Sequence, residues 1–145
     1  MGLSKGKTKK SSDAQLKRLK KEALVLHAKA VKMRDDNECL ICGTEYQAKG
    51  TSLHCHHWYK FKKQSSLLQF ELDNGVSLCH GHHTGNYGIH KGPSVYFLNI
   101  FMMKIKAKFG DHIEEKLRDF NMSGTKVNRI YLEEKIQELK NYIGE

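Results

Sequence analysis

No stretch of the 145-residue chain is apolar for long enough to span a bilayer, and no apolar segment of the signal-peptide kind opens it. Both absences lead to the expectation of a soluble, intracellular protein that works in the cytoplasm and has no membrane partner. Apolar residues are scarce throughout, at 39% of the chain, and the mean hydropathy is −0.63. A core that small is often reinforced by a structural metal or an oligomeric contact. The chain has only four cysteines. In a reducing compartment these read as metal ligands rather than disulfides. No internal repeat is visible, and the length suits one compact domain with room for a tail.

Acidic residues are nearly missing from the first part of the chain. Met1 to Arg34 carry 11 Lys and Arg against Asp13 and Glu22, whereas Asp35 to Glu145 carry 14 of each sign. The whole net charge of +9 therefore sits on an N-terminal arm. Such an arm attracts polyanions and speeds encounter with them, although a solvated basic tail has the same composition.

Residues 1–12 are Gly-, Ser- and Lys-rich without periodicity and are expected to form a disordered basic tail. Ser12 and Gln15 have capping-box spacing, so residues 13–34 are expected to form a basic amphipathic helix. Leu16, Leu19, Ala23, Leu24, His27, Ala30 and Val31 share its apolar face, with Lys17, Lys20, Lys21 and Lys32 largely off it. Thr51 to His57 and Gly75 to Leu78 read as short strands joined by a basic, aromatic loop. From Cys79 a short helix or turn is expected to end near Gly85 and Gly88. The one proline lies in Gly92-Pro93-Ser94, which starts a new element. Val95, Leu98, Phe101, Met102 and Ile105 then form a helix face that Gly110 ends. Asp111 is expected to cap a helix with Ile113, Leu117 and Phe120. A last helix holds Leu132, Ile136 and Leu139. The fold class is α+β, with residues 35–93 as a metal-stapled core and residues 94–145 as a helical region.

Nine histidines are present, and most of them lie with all four cysteines between Cys39 and His90. Cys39-x-x-Cys42 and Cys79-x-x-His82 are two pairs of the kind that closes a tetrahedral zinc site, because a two-residue spacer lets a turn bring both donors to one ion. We read these four as structural zinc ligands. Cys55 is a second candidate for the fourth position, or a small buried hydrophobe on its strand. On an extended segment Leu53, Cys55 and His57 share one face, and His54 and His56 the other. Imidazoles bunched near a strand end can ligate a divalent ion and accept a proton, the two services that phosphodiester hydrolysis needs. His54 and His80 read as ordinary surface or core histidines, and His27 and His112 as ordinary helix residues.

In order, the chain runs Cys39-x2-Cys42, Leu53-His54-Cys55-His56-His57-Trp58, Asn74, Leu78-Cys79-His80-Gly81-His82-His83 and His90. This resembles the HNH (ββα-metal) endonuclease pattern, in which a His ends the first strand, an Asn follows in the loop and a last His begins a helix after the second zinc pair. From Leu53 to Pro93 it is most similar to phage-encoded HNH proteins related to the NinG/Rap recombination endonucleases. The resemblance implies a zinc-stapled ββα-metal core and a metal-dependent DNA endonuclease, acting in a bacterial host on branched recombination intermediates. It assigns His57 as the general base and Asn74 as the residue that bonds backbone across the loop and holds His57. It assigns His83 and His56 as ligands of the catalytic ion and His90 as support for that site or a phosphate contact. The implied ion is Mg²⁺ or Mn²⁺, and the implied products carry 5′-phosphate and 3′-hydroxyl ends. Two departures stand out: His82 replaces the usual Cys, and His56 replaces the usual Asp. The second lowers the negative charge of the site and favours a softer ion such as Mn²⁺, Ni²⁺ or Zn²⁺. Lys60, Lys62 and Lys63 beside the base, with Lys17, Lys20 and Lys21 on the arm, are expected DNA contacts. The face around Phe101, Met102 and Met103 is expected core or, alternatively, a homodimer surface. A non-catalytic zinc-knuckle DNA-binding module is the alternative function.

Overall fold

The computed structural model describes residues 4–45, 53–60, 64–86 and 88–145. The first element is the helix α1, Ser4–Arg34. It begins well before the expected start, so the Ser12–Gln15 box lies in helix interior and the stretch expected to be a disordered tail is helical from Ser4. Once a docked segment is helical, each added residue gains a hydrogen bond without a new nucleus, and the Lys-rich stretch has no proline to stop it. Leu19, Ala23, Leu26, His27, Ala30 and Val31 form the buried stripe at helical spacing. The helix ends where Asp36 and Asn37 take left-handed backbone (φ 53° and 56°), which short polar side chains tolerate.

The stripe meets two partners. Leu19, Ala23, Leu26 and Ala30 pack with Phe70 and with Leu132, Ile136 and Leu139 of the C-terminal helix α5, Arg129–Ile143. Asn128 caps α5 by accepting Tyr131 N–H at 2.9 Å, and Gly144 closes it in left-handed conformation. Further along α1, Val31 and His27 press on a two-stranded antiparallel sheet of β1, Leu53–His57, and β2, Gly75–Cys79. Leu53 pairs with Cys79 and His57 with Gly75. Gly75 permits the approach, because a Cβ there would lie 2.7 Å from Val31 Cγ2 and 2.9 Å from His27 Cε1.

Behind the sheet lies a second core of Leu68, Val76, Leu78, Phe101, Ile105, Ile113 and Leu117. It joins the sheet to α3, Val95–Phe109, and α4, Ile113–Asn121. Ser94 caps α3 through Phe97 N–H, and Gly110 (φ 97°) ends it. Asp111 does not cap α4. The preceding residue is His112 without a side-chain cap, since Ile113 N–H bonds back to Gly110 O and the turn leaving α3 runs directly into α4. Phe101 is core, whereas Met103, Val95 and Tyr96 face solvent. The buried Asp35 ties the layers together: it binds Arg34 and Lys108 and accepts Ser77 N–H at 2.9 Å. Burial opposes its ionisation, but the Arg34 and Lys108 cations hold its carboxyl below the usual range. The chain is thus a small α+β protein with five helices and one hairpin among the described residues. None of those helices is long and apolar enough to cross a membrane.

Candidate functional site

The turn after α1 carries the first pair of metal donors. Cys39 N–H bonds Thr44 O, Gly43 N–H bonds Cys39 O and Gly43 adopts φ 67°, which curls the backbone into a tight knuckle. Leu40 N–H bonds Ser77 O at 2.9 Å and seats the knuckle on β2. The second pair comes where β2 ends at Cys79 and the single-turn helix α2, His80–His83, begins. Cys39 Sγ lies 3.7 Å and Cys79 Sγ 3.1 Å from His82 Nδ1, and Cys42 Sγ lies 4.0 Å from Cys79 Sγ. A tetrahedral site with metal–sulfur bonds of about 2.3 Å has edges of about 3.8 Å, so the four donors fit one ion. Cys39, Cys42, Cys79 and His82 form a cluster that can hold a metal. Cys55 stands elsewhere, its Sγ 3.9 Å from His27 Nδ1 on the α1 side of the sheet.

A second cluster, of imidazoles, lies beside the first. His56, His83 and His90 each offer a nitrogen within 4.8 Å of the others, enough for these three also to hold an ion. His90 reaches His83 because the loop after α2 doubles back: Ile89 N–H bonds His82 O and His90 N–H bonds His83 O. Glycine makes that return possible, since a Cβ at Gly88 would sit 2.4 Å from His83 O. The ring centroids of His56 and His83 are 5.1 Å apart, and those of His83 and His90 are 4.7 Å apart. Burial, with repulsion from the neighbouring imidazoles, pushes His56 down to about 3 and His83 to about 4. Both rings are therefore neutral near pH 7, the form that ligates.

The two-residue period of β1 divides its side chains between two faces. His54 and His56 meet α2, with His54 Nδ1 2.8 Å from His83 Nδ1. Cys55 and His57 meet α1, where His57 stacks on His27 with centroids 5.1 Å apart. The structure brings His56, His83 and His90 together and sets the sequence-assigned base His57 against His27 on the other face of the strand. His57 Nε2 bonds Gln69 O at 2.9 Å. A carbonyl only accepts, so Nε2 carries the proton and Nδ1 is the basic nitrogen of the neutral ring. Asn74 is fully buried: Oδ1 accepts from Tyr59 and Lys60 N–H, and Nδ2 donates to Lys60 O and Leu68 O. With Trp58 N–H on Asn74 O, this residue pins the chain immediately after His57.

Lys17 and Lys21 are exposed on α1, about 15 Å or less of helix axis from His27, and Lys20 is half-buried there. Lys60 is half-buried with its Nζ 5.7 Å from the Tyr59 ring centre. Lys62 and Lys63 lie outside the described residues. Trp58 donates its indole N–H to Asp73 O and stacks on Phe109, so it serves the core rather than an open surface.

Two residues set aside on sequence grounds prove to belong to this region. His54 shares a strand face with His56, and that alternation was the available signal. His27 lies on the apolar stripe of α1, and a histidine at a core position was its signal. His27 is 1% exposed and donates Nε2–H to Glu71 O at 2.8 Å. Desolvation pushes its pKa down to about 3 against an ordinary 6.5, despite the carbonyl bond. A folded value below the unfolded one means that the unfolded chain binds the proton first. Stability is therefore complete above pH 6.5 and is lost progressively as pH falls toward 3. By pH 5 the loss from His27 is about 2 kcal/mol, and His27→Gln is expected to flatten the acid limb of a urea-melt stability profile by that amount. An unchanged slope would show that the ring is protonated in the fold.

Comparison of the chain with protein-family models, curated proteins and solved structures gave no match.

Proposed function

We propose that the chain is a metal-dependent DNA endonuclease of the HNH (ββα-metal) kind. The observation that carries the reading is the second cluster, His56, His83 and His90, set at the junction of a strand pair and a short helix beside a separate three-Cys, one-His cluster. Thiolate-rich tetrahedral donors suit zinc, and we assign Cys39, Cys42, Cys79 and His82 to a structural zinc ion. Three imidazole donors favour a borderline ion such as Ni²⁺, Zn²⁺ or Mn²⁺ over Mg²⁺. An ion held by His56, His83 and His90 would supply positive charge to the scissile phosphate.

The protein's own groups supply the rest. His57 Nδ1 takes the proton of the attacking water, the water oxygen bonds to phosphorus, and the bond from phosphorus to the 3′-oxygen breaks. The departing 3′-oxyanion takes a proton from solvent, so that 5′-phosphate and 3′-hydroxyl ends remain. The Gln69 carbonyl holds the imidazole in the accepting tautomer, and Asn74 keeps the backbone after His57 in place. Because His56 and His57 project to opposite faces, the substrate has to lie across the end of β1, in reach of both. The basic surface of α1 adds affinity for the phosphate backbone without reading sequence.

The stacking of His57 on His27 favours a second reading, in which the imidazole cluster binds an ion but the chain only binds DNA. A nicking assay separates the two. Wild type and His83→Ala are incubated with supercoiled plasmid and with a four-way junction, in EDTA, Mg²⁺, Mn²⁺ and Ni²⁺. Metal-dependent cleavage that the variant loses supports the nuclease, and preference for the junction supports action on recombination intermediates. Binding without cleavage in every metal overturns the nuclease in favour of the binding module.

A further inference from the structure

His83 is held from both ends of its ring. Its Nε2 lies 3.1 Å from His90 Nε2, within the imidazole cluster, and its Nδ1 lies 2.8 Å from Nδ1 of His54. Two imidazole nitrogens at that distance share one proton, with one ring donating and the other accepting. Ligation by Nε2 needs an in-plane lone pair there, so a neutral His83 that binds an ion must carry its proton on Nδ1 and give it to His54. His54 is in turn held by its place on β1, opposite Leu78, and by edge contacts with the rings of His80 and His83. Isolated histidine favours the other tautomer, with the proton on Nε2, which would turn a hydrogen rather than a lone pair toward the cluster.

We propose that His54 is the positioning residue of the imidazole cluster: its Nδ1 accepts the Nδ1 proton of His83 and so presents His83 Nε2 to the ion. The assignment rests on the reading of His56, His83 and His90 as an ion site and adds a fourth histidine to it. Outer partners of ligating histidines commonly govern affinity in this way, by fixing tautomer and ring direction.

Two measurements test it, both on the full chain. Nitrogen-15 NMR of the protein carrying a single equivalent of zinc, before any second ion is added, is expected to show His83 protonated on Nδ1, and His54→Ala is expected to shift it toward the Nε2 form. Calorimetric titration with Ni²⁺ is then expected to give an affinity for the second ion that His54→Ala lowers by about tenfold to a hundredfold. His54→Asn is expected to restore most of it, because its side-chain oxygen can accept the same proton. A second ion bound equally well by His54→Ala, or a wild-type His83 carrying its proton on Nε2, overturns the role of His54 while leaving the ion site standing. A wild type that takes up no Ni²⁺ beside its one zinc overturns the ion site itself, and the positioning role with it.

Discussion

Removing the metal from Cys39, Cys42, Cys79 and His82 is expected to abolish the cooperative unfolding transition. The four donors come from two places far apart in sequence, the knuckle after α1 and the β2–α2 junction. Besides the ion, the knuckle is held to β2 by the Leu40 N–H to Ser77 O bond, the Ser77 N–H to Asp35 bond and the packing of Cys39, Leu40 and Ile41. Structural zinc contributes on the order of 10 kcal/mol or more to the folding of small domains at neutral pH, comparable with the whole stability of a typical domain. Burial of Cys39 pushes its thiol up to about 11, so without an ion that thiol is protonated at neutral pH. An ion turns the thiols to thiolates and releases their protons, and metal affinity is therefore expected to fall as pH drops. Native mass spectrometry should find one ion fewer per chain in Cys79→Ser than in wild type, and calorimetry should find its melting transition broadened or lost. Cys55→Ser is the control, because that sulfur is directed at His27 and lies outside the cluster. A Cys79→Ser variant that melts cooperatively within a few degrees of wild type would refute the staple. Loss of the ion in Cys55→Ser would refute the choice of His82.

His57→Ala is expected to lower the rate of DNA cleavage by about a hundredfold to ten-thousandfold, the usual worth of a general base, with DNA affinity nearly unchanged. The ring also stacks on His27 and bonds Gln69 O, so the alanine variant removes packing along with the base. His57→Gln separates these effects. Its terminal amide can reach the Gln69 carbonyl from near the position of Nε2, yet it has no nitrogen that accepts a proton at neutral pH. Cleavage lost equally in both variants, each folded by circular dichroism, assigns the base to His57. Cleavage retained in His57→Gln would mean that the proton goes elsewhere and that His57 is a packing residue between β1 and α1.

Much of this architecture was legible before any coordinates. The two-residue spacers in Cys39-x-x-Cys42 and Cys79-x-x-His82 announced a cluster of four donors that can hold one ion, because pairing of donors at that spacing is a local property of a turn. The β1 alternation correctly separated His54 and His56 from Cys55 and His57. Ser94 and Gly110 marked the ends of α3, and Gly144 lies just beyond the end of α5, since capping is decided within a few residues. The start of α1 was misplaced for the complementary reason: a capping box is only a local preference, and a docked helix can extend through it.

What the sequence determined by itself was therefore whatever depends on near neighbours: donor spacing, strand faces, helix stripes and stops. Only the tertiary structure decided which of the nine histidines meet. His90 joins His83 because Ile89 and His90 bond back to the backbone of α2, and His54 faces His83 because β1 and β2 pair in the register that sets Leu53 opposite Cys79. His27, an ordinary helix residue by sequence, is buried against His57 because Gly75 lets α1 approach the sheet. Such meetings depend on how separate elements pack, and no local pattern in the chain encodes the distance between them.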